Sequence, residues 1–152
     1  MIRSKAILKE ALESIESIFD YIIIDCPPSL GLLTLNALTA AHKLLIPTQT
    51  EFLALRRLAA ILQTVGLVRR RLNKELQLLG ILPTMYDSRT LHARDVLKEI
   101  NKIIKIDCIV FDPIPRSVRF ADATIAGLPI IEYSPNFEGS QIYKKLAEDV
   151  DK

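Results

Sequence analysis

The sequence predicts an α/β fold in which a mostly parallel sheet is flanked by helices, and two observations lead to that prediction. Apolar runs rich in β-branched residues, typical of strands buried on both faces, alternate along the chain with amphipathic segments of helical period. The 152 residues are 49% hydrophobic and 25% charged, which is an ordinary globular composition with enough apolar residues for a substantial core. We therefore expect a single α/β domain over residues 1–152.

The first part of the chain predicts two helix–strand pairs. Apolar residues recur every three or four positions over Ile7–Ile18, which predicts an opening helix, and the β-branched run Tyr21–Asp25 predicts a buried strand. Helical spacing returns over Leu32–Ala41. Leu44–Ile46 is a short apolar run that we expect to form a strand ending at Pro47, because proline cannot donate to a ladder.

The remainder of the chain continues the alternation. Phe52–Leu72 carries an apolar stripe along one face, which predicts a long helix. Apolar period and β-branched content predict the other elements: strand Leu76–Met85, helix Leu91–Lys105, strand Cys108–Phe111, helix Val118–Ala126, strand Pro129–Tyr133 and a helix from Gly139. No internal repeat or low-complexity linker interrupts this order.

Asp25 is the first candidate for chemistry, because it follows a predicted strand at its carboxyl end, where open α/β sheets place their ligands. Pro27 and Pro28 each fix φ and remove an amide donor, so they hold the loop beyond the carboxylate extended. A rigid loop with one acid suits magnesium, which prefers carboxylate and water oxygens in octahedral geometry. The same pattern also fits an acid that only ends a strand or caps the next helix.

The residues around Asp25 resemble a known family. Asp-Cys-Pro-Pro-Ser-Leu-Gly at residues 25–31 is similar to the Walker B and switch II region of the ParA/Soj partition ATPases, whereas septum-site ATPases typically have Pro-Ala-Gly after the acid. Further segments resemble the family in the expected order: Pro47–Leu55, Gly80–Thr90, Ile114–Arg119, Gly127–Ile130 and Tyr143–Ala147. The resemblance covers nearly all of the chain from about Phe19. It implies an incomplete P-loop NTPase fold of the SIMIBI type.

One family motif does not occur in the sequence. Family members begin with a strand and a deviant Walker A loop, Lys-Gly-Gly-x-Gly-Lys-Thr-Thr, which cradles phosphates, but the five glycines of this chain are too widely separated to build one. We therefore expect the C-terminal part of an ATPase that lacks the Walker A strand. ATP and magnesium are the implied cofactors of the complete protein, and we expect this chain alone to bind neither and to hydrolyse no ATP. We also expect the edge of Tyr21–Ile24 to be covered by the opening helix, a homodimer partner or a complementing N-terminal half.

The resemblance also assigns nucleotide-site residues. It implies that Asp25 orients magnesium through water and that Pro27–Gly31, with Pro27 and Pro28 in the nucleotide site, relays the state of the γ-phosphate to the dimer interface. It further implies that Met85, Pro115 and Arg116 pack around the adenine. From the residues alone, an alternative remains open in which the methionine fills the core and the proline ends a strand.

For DNA, the resemblance implies sequence-independent binding by the ATP-bound dimer through Arg89 and Arg119. Guanidinium groups suit this task because they stay charged and bond phosphate oxygens bidentately. Three further cations follow at four-residue spacing: Arg94, Lys98 and Lys102. These could extend a basic stripe or pair with acids of their own helix. The basic run Arg69–Arg71 is explained by the helix dipole, which favours cations in a final turn.

Two functional hypotheses follow. In the first, the chain belongs to a chromosome- or plasmid-partition ATPase that works with a ParB-like centromere-binding protein and DNA. In the second, it is a naturally short, non-catalytic relative that binds DNA or a partner. The net charge of +2 does not by itself predict nucleic-acid binding, and no apolar stretch approaches the ~20 residues that span a bilayer. We expect a cytoplasmic, nucleoid-associated protein with no membrane partner.

Overall fold

The computed structural model describes residues 7–27, 29, 31–104 and 108–151. Its helices and strands, in chain order, are α1 Ile7–Leu12, α2 Leu32–Ala40, β1 Lys43–Gln49, α3 Phe52–Arg71, β2 Gln77–Thr84, α4 Leu91–Ile103, β3 Ile109–Val110, α5 Arg119–Ala126, α6 Ile130–Tyr133 and α7 Glu138–Val150. Most predicted helices and strands are present with shifted ends.

The three described strands form one sheet in the order β1-β2-β3, and β2 and β3 pair in parallel. Backbone hydrogen bonds connect β1 to β2 in the same chain direction at both ends: the Gln77 amide donates to the His42 carbonyl at 2.8 Å, and the Thr50 amide donates to the Thr84 carbonyl at 3.0 Å. The carboxyl ends of these strands therefore lie at one edge of the sheet. The predicted α/β class with a parallel sheet is confirmed.

One compact unit of the chain comprises Arg57–Leu78 and the described residues of Met1–Leu44. Its core is made of apolar side chains from α2, α3 and the turn before β2: Leu38, Val65, Val68 and Leu76. The partly buried Leu35, Leu44, Ile61 and Leu72 pack against them. This arrangement explains why the apolar stripe of α3 was a good predictor of a helix, since that stripe supplies the core.

The second compact unit comprises Leu45–Arg56 and the described residues of Leu79–Lys152. Its core contains Leu82, Phe111, Ile114 and Leu146, which come from β2, from the segment after β3 and from α7. Edge-to-face contacts of the Phe120 ring with the rings of Phe137 and Tyr143 extend the packing around α5. The prediction of a single domain over residues 1–152 stays a prediction.

The strand predicted at Tyr21–Asp25 is wrong in this structure. Residues 21–27 belong to neither a strand nor a helix, and the Ile23 side chain is 92% exposed. A strand exists only by pairing in a ladder, and among the described residues the sheet contains only β1, β2 and β3. The apolar, β-branched residues of this segment therefore favour a strand, but no neighbouring strand among the described residues pairs with them.

The strand predicted at Pro129–Tyr133 is also wrong, because this segment forms helix α6. The Tyr133 amide donates to the Pro129 carbonyl and the Ser134 amide to the Ile130 carbonyl, both at 2.9 Å. Proline is favourable at a helix start, where no amide is needed, and this local bonding overrides the β preference of the two isoleucines.

Two other predicted boundaries require correction. β1 does not end at Pro47 but continues to Gln49. Because β1 is an edge strand of the described sheet, the nitrogen of Pro47, which has no hydrogen to donate, can face away from the neighbouring strand. The opening helix ends at Leu12, and hydrogen-bonded turns replace its predicted second half. The predicted end of the α4 segment at Lys105 lies outside the described residues.

Candidate functional site

Asp25 lies in the loop that leads into α2 and is exposed, together with Cys26 and Pro27. The N-cap of α2 is Gly31, and no side chain caps it, so the helix-capping alternative for Asp25 is wrong. Burial and the neighbouring Asp25 carboxylate, in that order, raise the pKa of the Cys26 thiol, which favours the protonated, unreactive form. Pro28 lies outside the described residues.

The loops that carry Met85 and Pro115 lie side by side. Tyr86 and Pro115 form a parallel bridge, in which the Tyr86 amide donates to the Ile114 carbonyl at 3.0 Å and the Arg116 amide donates to the Tyr86 carbonyl at 2.9 Å. The structure thus brings together the three residues that the sequence assigned to the adenine. We call the stretch formed by residues 84–86 and 114–116 the rim.

Met85 has a left-handed backbone with φ of 56°, the one positive φ outside glycine among the described residues. The residue is 47% exposed, so it does not act as a core filler and is accessible to a ligand. A non-glycine residue in this conformation costs about 1–2 kcal/mol, which surrounding contacts must offset. Strain of this kind is typical of ligand-binding loops.

Thr50 supplies those contacts, and the sequence reasoning missed it. Its hydroxyl lies 3.4 Å from the Thr84 carbonyl oxygen and 3.3 Å from that of Met85, and its amide also donates to Thr84. The Thr50 side chain is buried. Its position directly after a strand was a signal of proximity to the strand ends, but the bonding partner 35 positions away could not be read from the pattern.

Arg89, a predicted DNA-binding residue, is held by Asp87. The guanidinium donates from Nε to Asp87 Oδ1 at 2.9 Å and from Nη2 to Oδ2 at 2.8 Å, and the Arg89 amide donates to Oδ1 at 3.1 Å. These hydrogen bonds, with smaller contributions from the charges of Arg89 and Arg116, lower the pKa of Asp87 to about 2. The Arg89 side chain remains 87% exposed, so it is oriented yet accessible.

Arg119 is the first residue of α5 and is oriented by a different set of contacts. Its Nη1 donates to Ser134 Oγ at 2.6 Å, and its guanidinium carbon lies 5.3 Å from the centroid of the Phe137 ring. The residue is exposed. A hydroxyl and an aromatic face leave the positive charge intact, unlike the carboxylate that holds Arg89.

The cations of α4 do not form a continuous basic stripe. Lys98 pairs with Asp95 at 3.4 Å, and Lys102 pairs with Glu99 at 2.6 Å, both within the helix. The alternative of intrahelical pairing is therefore confirmed for these two lysines. Arg94 remains an exposed residue of the same helix.

The candidate ligand-binding residues lie in two compact units of the chain, Met85, Pro115 and Arg116 in one and Asp25 in the other. The rim offers an apolar side chain in Met85, a proline face and the Arg116 charge, a combination that suits a flat base. Asp25 is a single exposed acid, which suits magnesium because that ion keeps several of its waters. No cluster of three or more potential metal ligands occurs among the described residues, and none of the described helices is long and apolar enough to cross a membrane.

A family model described as an AAA domain matches residues 1–78, half of the chain. With the parallel α/β sheet, this match places the chain in the class of α/β proteins related to AAA domains. Among curated relatives, the sporulation initiation inhibitor protein Soj of Bacillus subtilis is 48% identical over 94% of this chain and 56% of its own length. The chromosome-partitioning ATPase Soj of Treponema pallidum is 43% identical, with the same coverage. The chain belongs to the ParA/Soj family, and it spans about half the length of these curated relatives.

Solved structures share the fold of this chain. A structure described as cobyrinic acid a,c-diamide synthase from Mycobacterium smegmatis, with bound ATP analog and magnesium, is 41% identical over 95% of this chain and 53% of that chain, with a TM-score of 0.77. Apo McdA from Cyanothece has a TM-score of 0.87 at 20% identity, over 97% of this chain and 59% of that chain, which shows the shared fold alone.

Proposed function

We propose that this chain belongs to a ParA-type ATPase that partitions chromosomal or plasmid DNA. In that protein it would contribute the acid that orients magnesium, Asp25, and the loops that contact the adenine. The observation that carries the proposal is the rim, where Tyr86, the neighbour of Met85, is hydrogen-bonded to Ile114 and Arg116 in a chain that belongs to the ParA/Soj family. The strained, half-exposed Met85 supports a ligand contact at this place rather than a packing role.

At the metal side, Asp25 would orient magnesium through water, and Pro27 and Pro28 would hold the loop that relays the state of the γ-phosphate to a dimer interface. Bound magnesium would neutralise charge on the phosphates. The role of this chain is positional: it holds one carboxylate at a fixed place on a stiff loop. A glycine-rich loop for the phosphates would come from elsewhere in the complete protein.

For DNA, Arg89 and Arg119 would contact phosphates in the ATP-bound homodimer, which would engage the nucleoid and a ParB-like partner. Support comes from the exposure of both arginines and from their fixed orientations, which reduce the entropy lost on binding. Contacts to the backbone alone give binding without a sequence code.

The nucleotide proposal is tested with a chimera in which an amino-terminal segment containing Lys-Gly-Gly-x-Gly-Lys-Thr from a family member precedes this chain. Titration calorimetry is expected to detect magnesium-dependent ATP binding by the chimera and none by the chain alone. Asp25→Asn is expected to remove the magnesium dependence, while Asp20→Asn, which changes a nearby exposed acid, serves as the control. Tight ATP binding by the chain alone, or an unaffected Asp25→Asn chimera, would contradict the proposal.

The DNA proposal is tested in the same chimera. R89A and R119A are each expected to weaken ATP-dependent binding to duplexes of any sequence and to lower the salt slope by about 0.9 per lost phosphate contact. Lys102→Ala is the matched control for R89A, since Lys102 is likewise an exposed cation paired with an acid but has no proposed contact with DNA. Equal losses in all three variants would indicate a general charge effect and refute specific roles for the two arginines.

A further inference from the structure

Thr50 is a buried polar residue at the strand ends to which the proposed function gives no role. It directly follows β1, and only 4% of its surface is exposed. A buried hydroxyl costs free energy unless it forms a hydrogen bond. The partners of the Thr50 hydroxyl therefore indicate what this residue does.

The Thr50 hydroxyl lies between two consecutive carbonyl oxygens. Its Oγ1 is 3.4 Å from the Thr84 carbonyl oxygen and 3.3 Å from the Met85 carbonyl oxygen, so the hydroxyl hydrogen can be donated to either. The Thr50 amide adds a hydrogen bond of 3.0 Å to the Thr84 carbonyl. Thr50 thus contacts the peptide groups on both sides of the Met85 Cα.

The relative direction of these two carbonyls depends on the backbone of Met85. Each peptide group is planar, so only the φ and ψ angles of Met85 rotate one carbonyl against the other. Met85 has a left-handed φ of 56°. A donor within reach of both oxygens therefore stabilises the left-handed conformation that holds them there.

The conformation of Met85 decides which side chain the rim presents. Thr84 and Tyr86 are both partly buried, whereas Met85 between them is 47% exposed. Tyr86 is fixed by its bridge to Pro115. A rotation of the Met85 backbone would therefore redirect the methionine or break the bridge.

Thr48 provides an internal comparison. It is also buried and lies in β1, two positions before Thr50, but its hydroxyl donates to the Ile46 carbonyl of its own strand, at 3.5 Å. The partners of Thr50 lie 34 and 35 positions away. Thr50 therefore ties the end of β1 to the rim, whereas the hydrogen bond of Thr48 is local.

We propose that Thr50 is a positioning residue for the base-binding loop, whose buried hydroxyl holds Met85 left-handed and so keeps the methionine side chain at the rim. The identity of the ligand, an adenine nucleotide, rests on the proposed function. A loop already held in its binding conformation loses less entropy when the base binds. If only a fraction of the molecules has the competent loop, the apparent dissociation constant rises by the inverse of that fraction.

The first measurement follows Met85 by NMR in the full chain without nucleotide. The sequence contains two methionines, Met1 and Met85, so isotope labelling of methionine methyl groups gives one signal from the rim. T50V is expected to shift this signal and to change the vicinal coupling between the amide and α protons of Met85, which reports φ. T50S, which keeps the hydroxyl, and T48V should leave both unchanged.

The second measurement titrates ATP and magnesium into the chimera that contains the family's glycine-rich loop. T50V is expected to weaken ATP binding roughly five- to thirty-fold, because the steric cost of the left-handed conformer is then no longer offset. T50S and T48V should bind ATP as the parent chimera does. A purely structural role predicts a lower Tm for T50V with unchanged ATP affinity, which would overturn the proposal.

Met85→Gly separates positioning from general packing. Glycine populates positive φ readily, so a residue that holds the loop left-handed matters less beside it. T50V should therefore weaken ATP binding much less in the M85G chimera than in the parent, and a double-mutant cycle measures this coupling. Equal losses in both backgrounds would show that Thr50 acts through packing and would overturn the proposal.

Two further results would overturn it: unchanged Met85 signals in T50V, or equal ATP affinities of T50V and T48V. If T50V does not fold, Thr50→Ala is compared with Thr50→Ser, because these two variants differ only in the hydroxyl. Failure of the proposed function gives a different result. If no chimera binds ATP while T50V still changes the Met85 coupling, the nucleotide role of the rim is wrong and the hold of Thr50 on Met85 is confirmed.

Discussion

Replacement of Gly80 by alanine tests the packing that supports the rim. Gly80 lies in β2 opposite Ile109 of β3. An added Cβ would lie 2.7 Å from the Ile109 carbonyl oxygen and closer still to the Phe111 ring. A side chain could turn away, but the carbonyl belongs to the backbone of a paired strand, so β3 would have to move.

The expected cost follows from this clash. Overpacking a dense core typically costs 1–3 kcal/mol, and a backbone obstacle places Gly80→Ala near the upper end, at about 2–3 kcal/mol. The displacement should also reach the rim, because the Ile114 amide donates to the Pro83 carbonyl three positions beyond Gly80. With a urea m-value of about 1–3 kcal/mol per molar, the unfolding midpoint should fall by about 0.7–3 M.

Gly66→Ala is the matched control, since Gly66 lies within α3 and an added Cβ there meets no atom within 4 Å. Alanine inside a helix should raise the free energy of unfolding by about 0.5–1 kcal/mol. Urea unfolding of both variants, followed by circular dichroism, makes the comparison. If Gly80→Ala is as stable as Gly66→Ala, the close approach of β2 and β3 is refuted.

Three further predictions concern single side chains. The pKa of Asp87 is about 2, below its usual 3.8, so the stability that its carboxylate contributes is complete above pH 3.8 and is lost as the pH falls towards 2. In R89Q, NMR titration should place the Asp87 midpoint near 3.8. A midpoint that does not move would contradict the Arg89 pairing. Asn73→Ala removes three hydrogen bonds and should lower the free energy of unfolding by about 2–4 kcal/mol, whereas Asn101→Ala, at an exposed helix position, should change it little. Met85→Val places a β-branched residue in a left-handed conformation and should cost about 1–2 kcal/mol relative to Met85→Asn; equal urea midpoints would exclude the positive φ.

Regular patterns predicted the helices and strands that supply their own core. The ends predicted for α3 from its apolar stripe and for β2 from its apolar run were correct within one residue, because both patterns match buried side chains. Short segments were less predictable: Pro129–Tyr133 forms a helix because local backbone bonds decide a four-residue element. At Tyr21–Asp25, strand formation depends on pairing with a neighbouring strand, and the local sequence pattern gives no information about whether that neighbour is present.

Some residues of the candidate site could be predicted from the sequence, and others could not. Family resemblance identified Met85, Pro115 and Arg116, and the structure brings their backbones together. It did not identify Thr50 or Asp87, which orient the functional residues through hydrogen bonds. Asp87 could have been found, since an aspartate two positions before an arginine often accepts from its amide. Thr50 could not, because its partners are distant in the sequence.

Photolabelling with 8-azido-ATP tests the nucleotide role of the rim most directly. The chimera that contains the family's glycine-rich loop would be irradiated with magnesium present, and the modified peptides identified by mass spectrometry. We predict labelling of the peptides that contain Met85–Tyr86 and Pro115–Arg116, with protection by excess ATP. Labelling confined to other peptides, or labelling of the rim that ATP does not prevent, would contradict the assignment of the rim to the adenine.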